Sequence, residues 1–109
     1  MRISFLSPEI EGLCKQSRLA VRKLGTESAR KLQRRLSELF AANAVADLVA
    51  GRPHPLERDR AGQYAVDLHK GCRLIFKPAK QLPPTKPDGA IDWAQIDEIT
   101  IIEAEDYHD

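Results

Sequence analysis

The sequence YAVDLHKGCRLIF, residues 64–76, decides the fold, because its apolar side chains recur at every second position. Tyr64, Val66 and Leu68 alternate with Ala65 and Asp67, which is the pattern of a β-strand with one buried face. A turn candidate follows at residues 70–71, Lys-Gly, and the apolar run 72–76 comes directly after it. Residues 64–76 are therefore predicted to form a β-hairpin.

Towards the N-terminus the apolar spacing changes from two residues to three or four. Residues 2–6 are compatible with a strand that ends at Ser7-Pro8, a helix start signal. An apolar stripe then runs from residue 10 to residue 24, where Gly25 ends it. Thr26 is predicted to cap a second helix, whose stripe ends at Phe40. The two helices are predicted to form a hairpin.

The remaining segments complete an α+β pattern. Gly and Pro residues predict an extended loop at 51–55 and a projecting loop at 81–92, with a short extra turn at 44–49. The last strand, residues 98–104, is apolar on both faces and is predicted to lie centrally. The order β-α-α-β-β-β predicts one domain over residues 1–109, an antiparallel sheet with the helical hairpin packed on one face.

The composition excludes several classes of protein. No apolar run approaches the roughly 20 residues of a membrane-spanning helix, and residues 1–6 lack the pattern of a signal peptide. A cytoplasmic protein without membrane contact is expected. Cys14 and Cys72 are far apart and belong to no C-x-x-C motif, so we expect two reduced, buried thiols and no metal. Phosphate-binding glycine loops and covalent nucleophile motifs are absent from the sequence, and no cofactor is expected.

Positive charge is concentrated in the first half of the chain. Residues 1–60 carry 12 Lys and Arg against 7 Asp and Glu, whereas residues 61–109 carry 5 against 9. Between Lys15 and Arg35 the local net charge reaches +7. This basic face, with Arg18, Arg22 and Arg30 as candidate RNA-binding residues, is suited to a polyanion; the alternative is the solvated surface of two amphipathic helices.

Five residues are candidates for chemistry. His54 lies between two prolines that restrict its backbone, and Asp106-Tyr107-His108 places a carboxylate, a phenol and an imidazole in succession. The alternatives are a loop that the prolines merely shape and a frayed polar tail. Arg73 interrupts an apolar strand, so it needs a partner: either a carboxylate such as Asp67 or a phosphate over the open face of the sheet.

Several segments together resemble one family of bacterial toxins. The similarity is carried by Gly51-Arg52-Pro53-His54-Pro55-Leu56, Asp59-Arg60, Gly62-Gln63-Tyr64, Asp67-Leu68, Gly71, Arg73-Leu74-Ile75-Phe76 and Glu105-Asp106-Tyr107-His108. With the basic helical hairpin, this combination resembles the HigB-type killer toxins of the RelE/ParE superfamily. The resemblance implies a RelE-like α+β fold and an endoribonuclease that cleaves messenger RNA on the ribosome. It also implies neutralisation by a cognate helix-turn-helix antitoxin.

Two positions depart from the family pattern. Glu57-Arg58 stands where many relatives have Lys-Gly, and Cys72 stands where they often have an aromatic residue. Both changes reduce the positive charge and the base-stacking surface near the predicted site. Arg58 and Arg60 are the candidates to replace the missing cation.

The implied reaction needs no metal: a base takes the proton of the ribose 2′-OH, and the oxygen attacks the adjacent phosphate. Arg73 is assigned to the charge that grows on the phosphate, and His108 to protonation of the leaving oxygen. His54 is assigned as base or phosphate-orienting group, Asp106 as imidazole-orienting group or base, and Tyr107 to the base or ribose. Two alternatives stay open, a non-catalytic ParE-like toxin that binds DNA gyrase and an inactive relative that binds only its antitoxin.

Overall fold

A computed structural model describes residues 1–106 of the chain, with the backbone alone for Asp106. The described strands are β1 Arg2–Phe5, β2 His54–Pro55, β3 Tyr64–Asp67, β4 Cys72–Pro78 and β5 Glu98–Asp106. The helices are α1 Pro8–Lys15, α2 Ser17–Leu24 and α3 Thr26–Ala41. The predicted α+β class is confirmed. None of the helices within residues 1–106 is long and apolar enough to cross a membrane.

The five strands form one mixed sheet in the order β1-β5-β4-β3-β2. The pairs β2–β3, β3–β4 and β4–β5 are antiparallel, but β1 runs parallel to β5. The prediction of a wholly antiparallel sheet is therefore wrong at β1. A parallel pair requires a long crossover connection, and the helices and the hairpin between β1 and β5 provide one.

β2 lies in the segment for which the sequence predicted only an extended loop. His54 pairs with Ala65 and Pro55 with Tyr64, at the edge of the sheet. An edge strand tolerates proline because only one side of the strand needs backbone donors. The two prolines therefore do not prevent the chain from adding a short strand here.

β5 lies between β1 and β4, so its predicted central position is confirmed. Its register with β4 shifts between Phe76↔Ile101 and Ile75↔Glu103, which leaves Ile102 as the extra residue of a β-bulge. The bulge changes which side chains face the helices. Ile99 and Ile101 lie in the core before it and Ala104 after it.

The first predicted helix is divided in two at Gln16, whose backbone is extended (φ −118°, ψ 104°). The division lets α1 bury Ile10, Leu13 and Cys14, while α2 buries Ala20 and packs on α3. The predicted cap at Thr26 is wrong. Gly25 precedes α3 with φ +87° and ψ 163°, and no side chain caps this helix.

The helices cover one face of the sheet and form a single core with it. The most deeply buried large side chains include Leu32 and Leu39 of α3, Leu74 and Phe76 of β4, and Ile101 of β5. Cys14 and Cys72 are free and buried, as predicted. The predicted turn also forms: Lys70 and Gly71 have φ of +42° and +80°, and the Cys72 N–H donates to the His69 carbonyl over 3.0 Å.

Candidate functional site

The face of the sheet opposite the helices, called the outer face below, carries Arg73. Cys72, Leu74 and Phe76 of β4 belong to the core, so the alternating Arg73 and Ile75 point the other way. The register places Glu105 of β5 opposite Arg73 and Glu103 opposite Ile75. Residues that pair directly across strands share a face, so both glutamates belong to the outer face.

Arg73 is held by a neighbouring carboxylate. Its Nε and Nη2 atoms both donate to Oε1 of Glu105, over 3.1 and 3.0 Å, and only 7% of the residue is exposed. Asp67, the partner that the sequence suggested, accepts from Arg52 Nε over 2.9 Å. Glu105 therefore fixes the orientation of a buried guanidinium whose planar donor fork also matches a phosphate.

Arg60 reaches the same cluster from the connection between β2 and β3. Its Nη2 donates to Glu103 Oε1 over 2.5 Å and lies 3.5 Å from Glu105 Oε2. The hydrogen bond to Glu103 raises the pKa of the Arg60 guanidinium, and burial opposes this effect only in part. Gln63 Oε1 accepts from Nη1 over 2.7 Å and steadies the side chain.

The turn Arg58–Arg60 thus lies across the outer face and partly covers it. Ala65 and Ile75, which the register places on this face, are completely buried. The outer face is therefore less open than the sequence analysis assumed when it placed a phosphate over it. Arg58 itself is exposed and has φ +59°, a conformation that costs a non-glycine residue about 1 kcal/mol.

His54 is oriented by its own loop. Its Nδ1 lies 2.7 Å from the Arg52 carbonyl oxygen. A carbonyl can only accept, so Nδ1 carries the proton and Nε2 keeps a lone pair in the neutral ring. The register runs from His54 through Ala65 and Ile75 to Glu103, which places His54 on the outer face.

The predicted Asp106-Tyr107-His108 cluster is only partly placed. Asp106 is the last residue of β5, and its backbone pairs with Cys72. Tyr107 and His108 lie outside the described residues. The structure therefore brings His54, Arg60 and Arg73 to one face, and the assignments of the other candidates rest on the sequence.

The basic face is smaller than the charge count predicted. Arg18 and Arg22 are exposed on α2, but the Arg30 guanidinium lies 3.4 Å from Glu27 Oε1. Arg35 is buried and donates to the Asp67 carbonyl and, over 2.7 Å, to Glu38 Oε1. Because Arg35 points inward, it adds nothing to an RNA-binding surface.

Sequence reasoning assigned no role in the site to Glu103 or Glu105. Their spacing of two residues in a strand is a signal, because such residues share one face. The bulge at Ile102 hides which face that is, since it reverses the alternation established by Ile99 and Ile101. Within residues 1–106 no group of three or more His, Cys, Asp or Glu side chains is arranged to hold a metal ion.

The comparisons with known proteins define a class of fold. No protein-family model matches the chain, and no curated protein matches its sequence. The fold is the compact α+β fold of solved toxin structures described as YoeB or ParE.

Two of those structures align along the whole chain. One is a chain of the YoeB-YefM complex from Staphylococcus aureus, with 17% identity and a TM-score of 0.58, covering 100% of this chain and 98% of that one. The other is the YoeB/ParE toxin from Agrobacterium tumefaciens, with 12% identity, a TM-score of 0.60 and complete coverage of both chains. At these identities the likeness shows the fold alone.

Proposed function

We propose that the protein is the toxin of a toxin–antitoxin system and that it cleaves messenger RNA on the ribosome. The observation that carries the proposal is the buried Arg73 on the outer face, where Glu105 orients it. Glu103 orients Arg60 on the same face. Such a pair of oriented guanidinium groups suits a phosphodiester. The likeness in fold to toxins described as YoeB and ParE supports the same class.

In the proposed reaction Arg73 stabilises the charge that grows on the phosphate during attack by the 2′-OH. A guanidinium stays protonated at any physiological pH, so this contribution does not depend on proton transfer. The phosphate must first compete with Glu105 for the donors of Arg73. Arg60 and the exposed Arg58 add positive charge at the edge of the site.

His54 is suited to act as the base, because its Nε2 keeps a lone pair on the outer face. His108 is assigned as the acid that protonates the leaving 5′-oxygen. Asp106 is assigned to orient an imidazole or to act as the base instead, and Tyr107 to contact the base or the ribose. These last three assignments rest on the family resemblance of residues 105–108.

The ribosome supplies what the site lacks on its own. An outer face partly covered by the turn Arg58–Arg60 has little surface on which to bend RNA. Positioning by the ribosome can contribute about 7–11 kcal/mol of barrier reduction. Arg18, Arg22 and Arg30 are assigned to docking on ribosomal RNA, and a cytoplasmic location follows from the proposed target.

A helix-turn-helix antitoxin is the proposed partner that neutralises the protein. The likeness to a chain of the YoeB-YefM complex supports a partner of this kind. The HigB subtype is proposed from the residues quoted in the sequence analysis, above all Pro53-His54-Pro55-Leu56.

A non-catalytic toxin is the second candidate, either ParE-like or able only to bind its antitoxin. The feature that favours it is the pairing of Arg60 and Arg73 with Glu103 and Glu105, which occupies their donors. Incubation of purified protein with ribosomes programmed with a defined message separates the two. Mapped cuts that disappear in Arg73→Ala support the ribonuclease, and an uncut message contradicts it.

A further inference from the structure

Positive charge recurs at three levels along β4 on the outer face of the sheet. Arg73 and Lys77 lie four residues apart on this strand, so their side chains face the same way. Arg60 occupies the level between them, because it donates to Glu103, which pairs with Ile75. Neighbouring levels are about 6.6 Å apart, a repeat similar to that of the phosphates in an extended nucleic-acid strand.

Lys77 differs from the two arginines because no described carboxylate holds it. Thr100 stands opposite Lys77, and its hydroxyl lies 2.9 Å from that of Ser4, so the cross-strand neighbour is neutral. The lysine is exposed and makes no ion pair with a residue in the described part of the chain. A phosphate can therefore bind Lys77 without displacing a carboxylate, whereas at Arg73 it must compete with Glu105.

A groove of about 470 Å³ continues the outer face beyond Lys77. It lies between the turn that precedes β3 and the proline-rich loop, residues 79–92. Lys80 contributes a second exposed cation, and no carboxylate is among the residues that line the groove. Asp97 and Glu98 border Lys80 from a separate, smaller cleft. The lining of the groove is therefore suited to an anionic ligand.

The proline-rich loop is a wall of defined shape. Thr85 and Ile91 form a β-bridge across it, and the Lys86 N–H donates to the Ala90 carbonyl over 2.7 Å. Prolines at positions 83, 84 and 87 restrict the backbone further. A wall that is already ordered costs little entropy when a ligand binds against it.

We propose that Lys77 and Lys80 form a second phosphate-binding subsite, which holds the backbone of single-stranded RNA next to the phosphate at Arg73. The inference rests on the proposed function, since the RNA strand then runs along β4 from Arg73 into the groove. Lysine binds phosphate as a point charge, so the subsite adds affinity rather than sequence preference and takes no part in cleavage. The residues that carry the family resemblance end at Phe76 and resume at Glu105, so neither lysine is among them.

An acidic peptide is the less suitable occupant, although its carboxylates carry the same charge. Extended peptides commonly bind by pairing with an open strand edge, and β4 lies between β3 and β5 in the sheet. A free phosphate ion would use one level of the line of cations and leave the others empty. A phosphodiester chain matches both the sign and the repeat of the charges.

The test titrates the full chain, labelled with ¹⁵N, with an RNA of about six nucleotides whose 2′ oxygens are methylated. Methylation removes the proton of the attacking hydroxyl, so binding is measured without cleavage. We expect the amide signals of Lys77, Ala79 and Lys80 to shift together with that of Arg73. The shifts identify the groove as part of the RNA path.

A double variant, Lys77→Gln with Lys80→Gln, measures the contribution of the subsite. We expect the affinity for the methylated RNA to fall about tenfold. The slope of log affinity against log salt should become shallower by about 1.4, because two phosphate contacts are lost. The matched control is Lys86→Gln, which removes an exposed lysine of the same loop from outside the groove and should change neither quantity. All three lysines are exposed, so the variants should keep the wild-type melting temperature.

Three results would overturn the inference. The first is a shift at Arg73 without one at Lys77 and Lys80, or a loss of affinity that Lys86→Gln reproduces. The second is inorganic phosphate that shifts the lysine amides as strongly as RNA of equal phosphate concentration, which would make the groove a general anion site. The third is an oligoglutamate peptide of the same length that binds there as tightly as the RNA.

The binding assay separates this inference from the proposed function. Binding of methylated RNA in the groove by a protein that cuts no message on the ribosome would contradict the ribonuclease alone. Cleavage of ribosome-bound message with the same KM in the wild type and the double variant, and no shift at the two lysines, would contradict the subsite alone.

Discussion

Arg73 and Glu105 stand directly opposite each other on neighbouring strands, and two nitrogens of the guanidinium donate to a single carboxylate oxygen. The arginine that the sequence offers for phosphate binding is therefore already oriented and already occupied. Such an arrangement removes the entropy cost of ordering a long side chain. In the proposed reaction a phosphate would have to displace this carboxylate, so we expect Glu105 to control the affinity of the proposed site.

Replacing Arg73 should damage both activity and stability. We expect Arg73→Ala to lower the cleavage rate about 10²- to 10³-fold, because it removes the main charge stabilisation of the phosphate. The free energy of unfolding should fall by about 1–3 kcal/mol, because the half-buried Glu105 loses a charged partner. Ribosome-based cleavage and urea unfolding measure the two effects separately.

Glu105→Gln is the matched change, since it keeps the shape and one acceptor oxygen while removing the competing charge. We expect tighter RNA binding, with KM lowered by up to about tenfold. Loss of cleavage with unchanged KM would show instead that the Glu105 carboxylate takes part in the chemistry.

Single substitutions test the proposed acid–base roles of His54 and His108 one at a time. His54→Ala and His108→Ala should each cost about 10²- to 10⁴-fold in cleavage rate, the usual range for loss of a general acid or base. His54 is half-buried on an edge strand, so its removal should lower the melting temperature only slightly. If His108→Ala cuts ribosome-bound message at the wild-type rate while Arg73→Ala fails, the acid lies elsewhere, and His54 is the next candidate.

The elements that could be predicted from the sequence are those that the local spacing of apolar residues determines. The hairpin at 64–76 follows from apolar alternation, and the central position of β5 follows from apolar residues on both of its faces. The parallel direction of β1 could not be predicted, because it depends on how the whole chain wraps around the sheet. The break at Gln16 has no sequence signal such as proline, since it results from α1 and α2 packing on different neighbours.

In the candidate site, too, some features could be predicted from the local sequence and others depend on the whole fold. The isolated charge of Arg73 in an apolar strand indicated a side chain on the open face of the sheet, and the register agrees with that orientation. The partner could not be chosen from sequence, because the bulge at Ile102 decides that Glu103 and Glu105 face the same side as Arg73. Arg35 is the opposite case: it was counted with the basic face, although the fold needs it for a buried contact with the loop at Gly51.

Charge reversal on α2 and α3 should weaken association with ribosomes. Replacing Arg18, Arg22 and Arg30 by Glu removes exposed cations that bury no apolar surface, so the fold should persist. We expect lower affinity and a flatter dependence of binding on salt, because fewer counterions are released. The measurement is co-sedimentation across a salt series with Lys86→Glu as the control. Unchanged binding at every salt concentration would remove this face from the proposal.

Gly51 should be far less replaceable than Gly89, although both have positive φ. A Cβ on Gly51 would lie 2.6 Å from Arg35 Nε and 3.2 Å from the Asp67 carbonyl oxygen. A Cβ on Gly89 would meet nothing within 4 Å. Gly51→Ala should lower the free energy of unfolding by more than about 2 kcal/mol, and Gly89→Ala by about 1 kcal/mol. Equal losses in urea unfolding would mean that Arg35 moves aside without cost.

Alkaline pH should destabilise the protein through the thiol of Cys14, which lies in the core on the helix side of the sheet. Burial raises the pKa of Cys14 from 9.0 to about 11, and burial also raises the pKa of Tyr64. Between these two thiol values the unfolded chain releases the Cys14 proton while the folded chain keeps it. The folded state then binds more protons than the unfolded state, so the free energy of unfolding must fall as pH rises through this window.

Urea unfolding at intervals between about pH 8 and pH 11 tests this expectation against Cys14→Ala, which lacks the thiol. The substitution lowers stability at every pH because it removes buried surface, so the slopes are compared rather than the absolute values. We expect a shallower alkaline decline in Cys14→Ala, since Tyr64 still contributes, and a further reduction in the double variant with Tyr64→Phe. Parallel declines in the wild type and Cys14→Ala would show that the thiol titrates alike in the folded and unfolded chains, which would contradict the burial of Cys14 on the inner side of α1.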